Sequence, residues 1–285
     1  MSDDGRHLGH GAYGLALPDV PGAAHLLVRA PVDWPDWRIR HRPLPGTAGA
    51  DEEHDFVSPD EARLRLSGGG HLLADRCASS STLVLPERPA DTEVVHPFLA
   101  LTAAVAARWR GWQCFHAGGI LVDGGVWGVL GDKGTGKSST LAWLARHGAE
   151  VLCDDVLVVD DDGEAVVGPR CIDLRGDAAA WLGEGEALGL VGARERWRMQ
   201  LGPTVLSAPL RGWVALAWDQ DTSVEPVPPL ERLPLLARNM SLRLLPPNGT
   251  GLMDLTGLPV WRLRRPRRLD AMGESAERLI EALRA

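Results

Sequence analysis

The chain contains only two lysines, although lysine and arginine together number 30. Both of them, Lys133 and Lys137, lie in one eight-residue segment, and arginine supplies every other basic side chain apart from histidine. Lysine in a chain that otherwise uses arginine indicates a position that needs a slim, flexible ammonium group and not a wide guanidinium. Contact with successive phosphate groups is one such need.

Several other scarcities exclude whole classes of protein. The four cysteines, Cys77, Cys114, Cys153 and Cys171, form no C-x-x-C pair, which argues against a zinc site or a disulfide framework and for thiols in a reducing cytoplasm. No apolar run reaches membrane-spanning length, and residues 1–6 lack the basic and apolar pattern of a signal peptide. The net charge of −8 argues against a general nucleic-acid binder. We therefore expect a cytoplasmic protein that contacts neither a membrane nor nucleic acid.

Two regions of different texture divide the 285 residues. Up to about residue 92 the chain has many prolines and short alternating segments, which predict strands at 62–66, 71–73 and 81–85 with a glycine turn at 68–70. We expect a small β-rich amino-terminal lobe over residues 1–92 and a second domain over residues 93–285. That domain should open with a helix, because residues 97–109 have helical spacing.

The segment that holds both lysines fits the phosphate-binding P-loop pattern G-x-x-x-x-G-K-[ST]. It follows a predicted strand at 126–130 and precedes a predicted helix at 137–147, which is the context that this motif requires. Backbone amides of residues 134–137 and the helix amino terminus would then face phosphate groups, and Ser138 would offer its hydroxyl to Mg²⁺. The predicted nucleotide contacts are Gly131, Asp132, Lys133, Gly134, Thr135, Gly136, Lys137, Ser138 and Ser139.

Two adjacent carboxylates, Asp154 and Asp155, interrupt an apolar stretch that reads as a strand at 151–153 and again at 156–159. Carboxylates in such a place are costly unless they are paired, hydrogen-bonded or bound to a cation. One can hold Mg²⁺ while its neighbour acts as a general base toward a hydroxyl. The plainer interpretation is a turn between two strands.

Together these residues resemble a known family. Three elements follow one another along the chain: His116 in a His-Ala-Gly segment, the P-loop, and the aspartate pair. Their order and spacing are similar to those of the bacterial HPr kinase/phosphorylase family. The resemblance is closer to the HPr-kinase-related proteins that accompany ribosomal peptide pathways, including lasso-peptide tailoring kinases. It extends over about residues 94–285. Further similar elements are His96-Pro97-Phe98-Leu99, Asp173-Leu174-Arg175 and residues 258–267.

The resemblance implies an α/β fold, with a P-loop kinase core of the HPr kinase/PEP carboxykinase-like type and a mixed sheet. It implies that Asp154 deprotonates the acceptor hydroxyl, that Lys137 neutralises the β- and γ-phosphates, and that His116 lies beside the reacting group. Asp155 and Ser138 would hold Mg²⁺, with Asp173 as a further metal ligand. ATP and Mg²⁺ are the implied cofactors, and the related kinases suggest a homo-oligomer. HPr itself is not the expected substrate, because the longer glycine-rich signature of true HPr kinases is missing.

Three functions remain open at this point. The first is a kinase that phosphorylates Ser or Thr of a peptide, and the second is a kinase for a small molecule such as an amino acid, sugar or antibiotic. The third is a nucleotide-sensing binding module, which needs the P-loop but not Asp154. Five arginines within residues 262–268 either bind an acidic peptide or phosphate or form a solvated strand edge.

Overall fold

The computed structural model describes residues 9–44, 54–244 and 249–284. These residues form a mixed α/β structure whose strands belong to four sheets. Two of the sheets are built from residues before 86 and two from residues after 112.

The amino-terminal region is β-rich, as the sequence predicts. Its strands are β1 (His10–Ala12), β2 (Leu15–Ala16), β3 (Val28–Arg29), β4 (Arg38–Pro43), β5 (Phe56–Val57), β6 (Glu61–Arg65), β7 (His71–Asp75) and β8 (Ser80–Leu85), with a 3-10 turn at Pro21–Leu26. A three-stranded sheet has the order β2-β1-β3 and a five-stranded sheet has the order β4-β8-β7-β6-β5. The strands predicted near residues 62–66, 71–73 and 81–85 are confirmed as β6, β7 and β8.

The helix predicted from residue 97 begins later than expected. A short helix α1 (Asp91–Glu93) leads into an irregular helical segment, Val94–Phe98, and the regular helix α2 spans Leu99–Trp109. The backbone of His96 is extended (φ −152°, ψ 120°), and Pro97 after it has no backbone N–H to donate, so the regular helix begins only at Leu99. The His96–Pro97 peptide is cis.

One hydrophobic core joins the two regions that the sequence separates. Leu72 and Leu83 of the five-stranded sheet, Ala104 of α2, and Leu157 and Trp213 of the second region belong to the same buried cluster. The alanine-rich α2 lets both regions pack closely against it. The division into domains at residues 92 and 93 stays a prediction, and the segments on either side of it share this core.

The second region alternates strands and helices around a large mixed sheet. Its elements are β9 (Gln113–Phe115), β10 (Ala117–Val122), β11 (Gly125–Leu130), α3 (Lys137–Arg146), β12 (Val151–Cys153), β13 (Leu157–Val159), β14 (Glu164–Val166), β15 (Cys171–Leu174), α4 (Gly176–Leu182), β16 (Glu186–Val191), β17 (Arg194–Gln200), β18 (Ser207–Trp218), β19 (Ser223–Pro226), α5 (Pro229–Arg238), α6 (Gly249–Gly257), β20 (Val260–Arg265) and α7 (Met272–Arg284).

The pairing of three neighbouring strands determines where the predicted site residues meet. β10 runs antiparallel to β11, with Ala117 opposite Leu130, and antiparallel to β12, with Gly119 opposite Cys153. The start of β10 and the ends of β11 and β12 therefore lie at the same edge of the sheet. We call this the site edge, and it brings together His116, residues 131–138, Asp154 and Asp155.

The remaining pairings make the sheet mixed. β18 runs parallel to β11 and to β20, and antiparallel to β14. β15, β17 and β16 form a separate antiparallel sheet.

Within the residues that the structure describes, no helix has both the length and the apolar character needed to cross a bilayer. Residues 1–6, on which the signal-peptide expectation rests, lie outside the described residues.

Candidate functional site

A tight glycine-containing loop connects β11 to α3. We call residues 131–138 the glycine loop. The amide and the hydroxyl of Thr135 both donate to the carbonyl of Asp132, at 3.0 and 2.8 Å, and fold the loop back on itself. Gly136 has a positive φ of 81° directly before the first turn of α3, a conformation that glycine adopts without steric cost. The first amides of α3 thus begin at a sharp turn, as in anion sites at helix amino termini.

Lys137 is a buried lysine at the first position of α3. Its Nζ lies 3.2 Å from the carbonyl oxygen of Gly131 and 3.5 Å from that of His116, and the residue is 7% exposed. Burial lowers the pKa of Lys137, and the charges of Asp154 and Asp155 oppose this shift. The ammonium group is therefore held at the site edge by two carbonyl oxygens, within electrostatic reach of both carboxylates.

Asp154 is the most deeply placed acidic group of the site edge. It is 3% exposed, and its Oδ1 has no hydrogen-bond partner among the described residues. Burial and the charge of Asp155 raise its pKa, whereas His96, Ser138 and Lys137 oppose the rise. A buried carboxylate oxygen without a partner is costly, so this position favours a bound cation or hydroxyl.

Asp155 differs from Asp154 in conformation and exposure. It has a positive φ of 69°, which is uncommon outside glycine although aspartate adopts it more readily than most residues, and its side chain is 36% exposed. His116 Nδ1 lies 2.9 Å from the Asp155 carbonyl oxygen and 3.4 Å from its Oδ1, while the backbone amide of His116 donates to the carbonyl of Asn239 at 2.7 Å. The pair forms the open side of the site edge, with Asp154 behind it.

Asp173, predicted as a metal ligand, lies in a different environment. It is 1% exposed on β15, and its carboxylate contacts the guanidinium groups of Arg196 and Arg198 on β17. His96 Nε2 lies 3.7 Å from Oδ2. Burial alone would raise the pKa of Asp173, but His96 and the two arginines outweigh it and hold the pKa below its usual value. Because its charge is already matched by arginine, we leave Asp173 out of the proposed metal site.

The arginine cluster at residues 262–268 does not behave as one surface. Arg262 binds Glu231 at 2.8 Å and Arg264 binds Glu225 at 2.9 Å, so their charges are balanced within the chain. Arg265 instead is 1% exposed and contacts the glycine loop. Because Arg265 is buried, it lies neither on a solvated strand edge nor on an open surface that could bind a peptide.

No cluster of three or more His, Cys, Asp or Glu side chains within the described part of the chain has the geometry of a metal site. The oxygen donors of Ser138, Asp154 and Asp155 nevertheless suit Mg²⁺, which is commonly held by one or two carboxylates together with water and substrate phosphates. An open cavity of about 570 Å³ lies elsewhere, along β4, and is lined by Asp19, Arg38, Ile39, Arg40, His41 and Arg88. It shares no residue with the site edge, where the chemically suited groups lie.

Comparison with known protein families and with curated proteins finds no match to this sequence. Among solved structures, the HPr(Ser) kinase/phosphatase from Coxiella burnetii is similar at 14% sequence identity and a TM-score of 0.30. The similarity covers 60% of this chain and 97% of that chain. At this score the likeness carries no argument about activity.

Sequence reasoning missed Tyr13, the only tyrosine of the chain. It lies in the turn between β1 and β2 with a positive φ of 57°, and its backbone amide donates to the Val167 carbonyl at 2.7 Å. Its buried hydroxyl lies 3.4 Å from the backbone carbonyl oxygen of Asp154. The amino-terminal region thus supports the aspartate pair from behind, and the single tyrosine was the one signal in the sequence that pointed to this position.

Proposed function

We propose that this protein is an ATP-dependent kinase that transfers the γ-phosphoryl group to a hydroxyl, with Ser or Thr of a peptide as the favoured acceptor. The observation that carries the proposal is the buried, partnerless Oδ1 of Asp154 beside Ser138, within the electrostatic reach of Lys137. A carboxylate oxygen in that state calls for a cation or a hydroxyl hydrogen.

In this proposal each group at the site edge has one role. The backbone amides of the glycine loop and Lys137 bind the β- and γ-phosphates, and Asp154 accepts the proton of the acceptor hydroxyl. That oxygen then bonds to the γ-phosphorus while the bond to the β-phosphate oxygen breaks, which leaves a phosphate ester and ADP. Positioning and charge neutralisation account for most of the catalysis of such transfers.

Ser138 and Asp155 would hold Mg²⁺, and Asp154 is assigned to the proton. When bound, the ion would neutralise phosphate charge. His116 orients Asp155 through its ring nitrogen, which lies 2.9 Å from the Asp155 carbonyl oxygen. These assignments follow the family resemblance for the two aspartates and the local geometry for His116.

The peptide acceptor rests on the resemblance to kinases of ribosomal peptide pathways, and the small-molecule kinase is the alternative. The test incubates the protein with Mg-ATP and either the peptide precursors encoded near its gene or the small metabolites made there, followed by mass spectrometry. We expect one added phosphoryl group on a peptide, lost when its acceptor Ser or Thr is replaced by Ala. A phosphorylated metabolite instead would favour the small-molecule kinase. Tight ATP binding without any transfer would favour a nucleotide-sensing module.

A further inference from the structure

Arg265, the last residue of β20, ends directly beneath the glycine loop. Its Nη2 donates to the carbonyl oxygens of Thr135 and Gly136, at 3.0 and 3.3 Å, and to the hydroxyl oxygen of Thr140 at 2.9 Å. Its Nη1 lies 3.1 Å from the sulfur of Met272 in α7, and its guanidinium lies over the Trp218 ring, 4.8 Å from the centroid. The side chain therefore links the carboxy-terminal strand and helix to the loop.

The positive charge of Arg265 has no acidic partner in the described parts of the chain. No carboxylate there lies within 4.0 Å of its guanidinium, whereas its neighbours on β20, Arg262 and Arg264, both pair with glutamates. Burial lowers the pKa of Arg265 to about 10, so the group remains charged at neutral pH. A buried cation without a counter-ion is costly, and the chain keeps one directly beneath a loop that matches a phosphate-binding motif.

The peptide planes of the loop connect Arg265 to that motif. The C=O and the following N–H of a trans peptide lie in one plane and point in opposite directions. When Arg265 draws the carbonyls of Thr135 and Gly136 toward itself, the amides of Gly136 and Lys137 point away from it. These two amides are among those expected to bind phosphate.

We propose that Arg265 is a positioning residue of the nucleotide site: it fixes the two peptide planes that aim the amides of Gly136 and Lys137, and bound phosphate balances its buried charge. This inference rests on the proposed nucleotide binding by the glycine loop. It gives the carboxy-terminal strand β20 a part in nucleotide binding. From the arginine-rich sequence alone, this strand is equally compatible with a solvated edge.

The test measures the affinity for Mg-ATP by calorimetric titration for the wild type, Arg265→Met and Arg265→Lys. Arg264→Met serves as the matched control, because Arg264 lies on the same strand but pairs with Glu225. We expect Arg265→Met to weaken binding by about tenfold or more, the scale of one charge-assisted interaction. Arg265→Lys should recover part of the loss, since lysine keeps the charge but not the planar fork. Arg264→Met should bind like the wild type.

Circular dichroism and the unfolding temperature of each variant, measured without nucleotide, report whether the variant is folded and how stable it is. A purely structural role of Arg265 would lower this stability but leave the ATP affinity of the folded protein unchanged. If Arg265→Met does not fold, Arg265→Lys and Thr140→Val should each weaken binding by about threefold. Thr140→Val removes the hydroxyl that accepts from Arg265 and itself donates to the Gly136 carbonyl at 2.8 Å, so it loosens the same peptide plane. Binding within twofold of the wild type by folded Arg265→Met, or by both milder variants, would overturn this inference alone. No ATP binding by the wild type would overturn the proposed function together with it.

Discussion

A single guanidinium holds both carboxylate oxygens of Asp173: Arg198 Nε lies 2.8 Å from Oδ1 and Nη2 lies 3.0 Å from Oδ2. The same Nη2 donates to the carbonyl of His96 at 2.6 Å. Asp173 thereby anchors the irregular segment before α2 to β15 and β17. We infer that Asp173 has a structural role next to the site edge.

Asp173→Asn should destabilise the protein by about 3–5 kcal/mol, the usual cost of removing one partner from a buried ion pair. Urea unfolding monitored by circular dichroism gives the free energy of unfolding, and Glu195→Gln, at an exposed position of β17, is the control. Because the folded-state pKa of Asp173 is below its usual value, the difference from the wild type should be complete above about pH 4 and shrink as the pH falls through that lower pKa. A stability equal to the control would contradict this role.

Tyr13 provides a second test of long-range support for the aspartate pair. Tyr13→Ala should cost about 3–5 kcal/mol of stability, as large aromatic truncations in a core do, and should lower phosphotransfer because the backbone at Asp154 loses its packing. Tyr13→Phe should cost less than about 1 kcal/mol, since only a long 3.4 Å hydroxyl contact is removed. Thermal unfolding of both variants checks the expectation. A Phe variant as unstable as the Ala variant would show that the hydroxyl, and not the ring, is what matters.

Two glycines of the same loop form a matched pair. Gly134 and Gly136 both have positive φ, 91° and 81°, so alanine is strained by about 1–2 kcal/mol at either position. A Cβ at Gly134 would meet no atom within 4 Å, whereas one at Gly136 would lie 2.7 Å from Arg265 Nη2. We expect Gly136→Ala to lose more stability in urea unfolding than Gly134→Ala. Equal losses would mean that the guanidinium moves away at little cost.

Substitutions of Asp154 and Asp155 should have different effects on the kinetics of phosphotransfer. Asp154→Asn should lower phosphotransfer by about 10²–10⁴-fold, the usual contribution of a general base, while ATP still binds. Asp155→Asn should shift the Mg²⁺ requirement of transfer to higher concentration. Rates measured against Mg²⁺ concentration test both expectations, and the opposite pattern would exchange the two roles.

Local patterns in the sequence are sufficient to predict the elements that carry the candidate site residues. The loop between β11 and α3 and the aspartate pair after β12 are each encoded within a few consecutive residues, and the pairing of three adjacent strands brings them together. The start of α2 was predicted too early, because the extended backbone at His96 depends on contacts with Arg198 and Asp173 that lie far away in sequence.

The residues that support the candidate site could not be predicted, because their contacts also join positions far apart in the sequence. Tyr13 meets Asp154 across 141 residues and Arg265 meets Thr135 across 130. Alternating arginines on β17 show in the sequence only that one face is basic. Tertiary packing decides that this face points inward to Asp173 and that the Arg265 side chain lies beneath the glycine loop.

The most direct test of the central claim is calorimetric titration of Mg-ATP into the wild type, Lys137→Met and Asp154→Asn. We predict that the wild type and Asp154→Asn bind, and that Lys137→Met binds at least about tenfold more weakly, because a charge-assisted contact to phosphate is lost. Lys133→Ala is the comparison for the other lysine and should lose less, since that residue is exposed. Absence of binding by the wild type, or unchanged binding by Lys137→Met, would contradict the account.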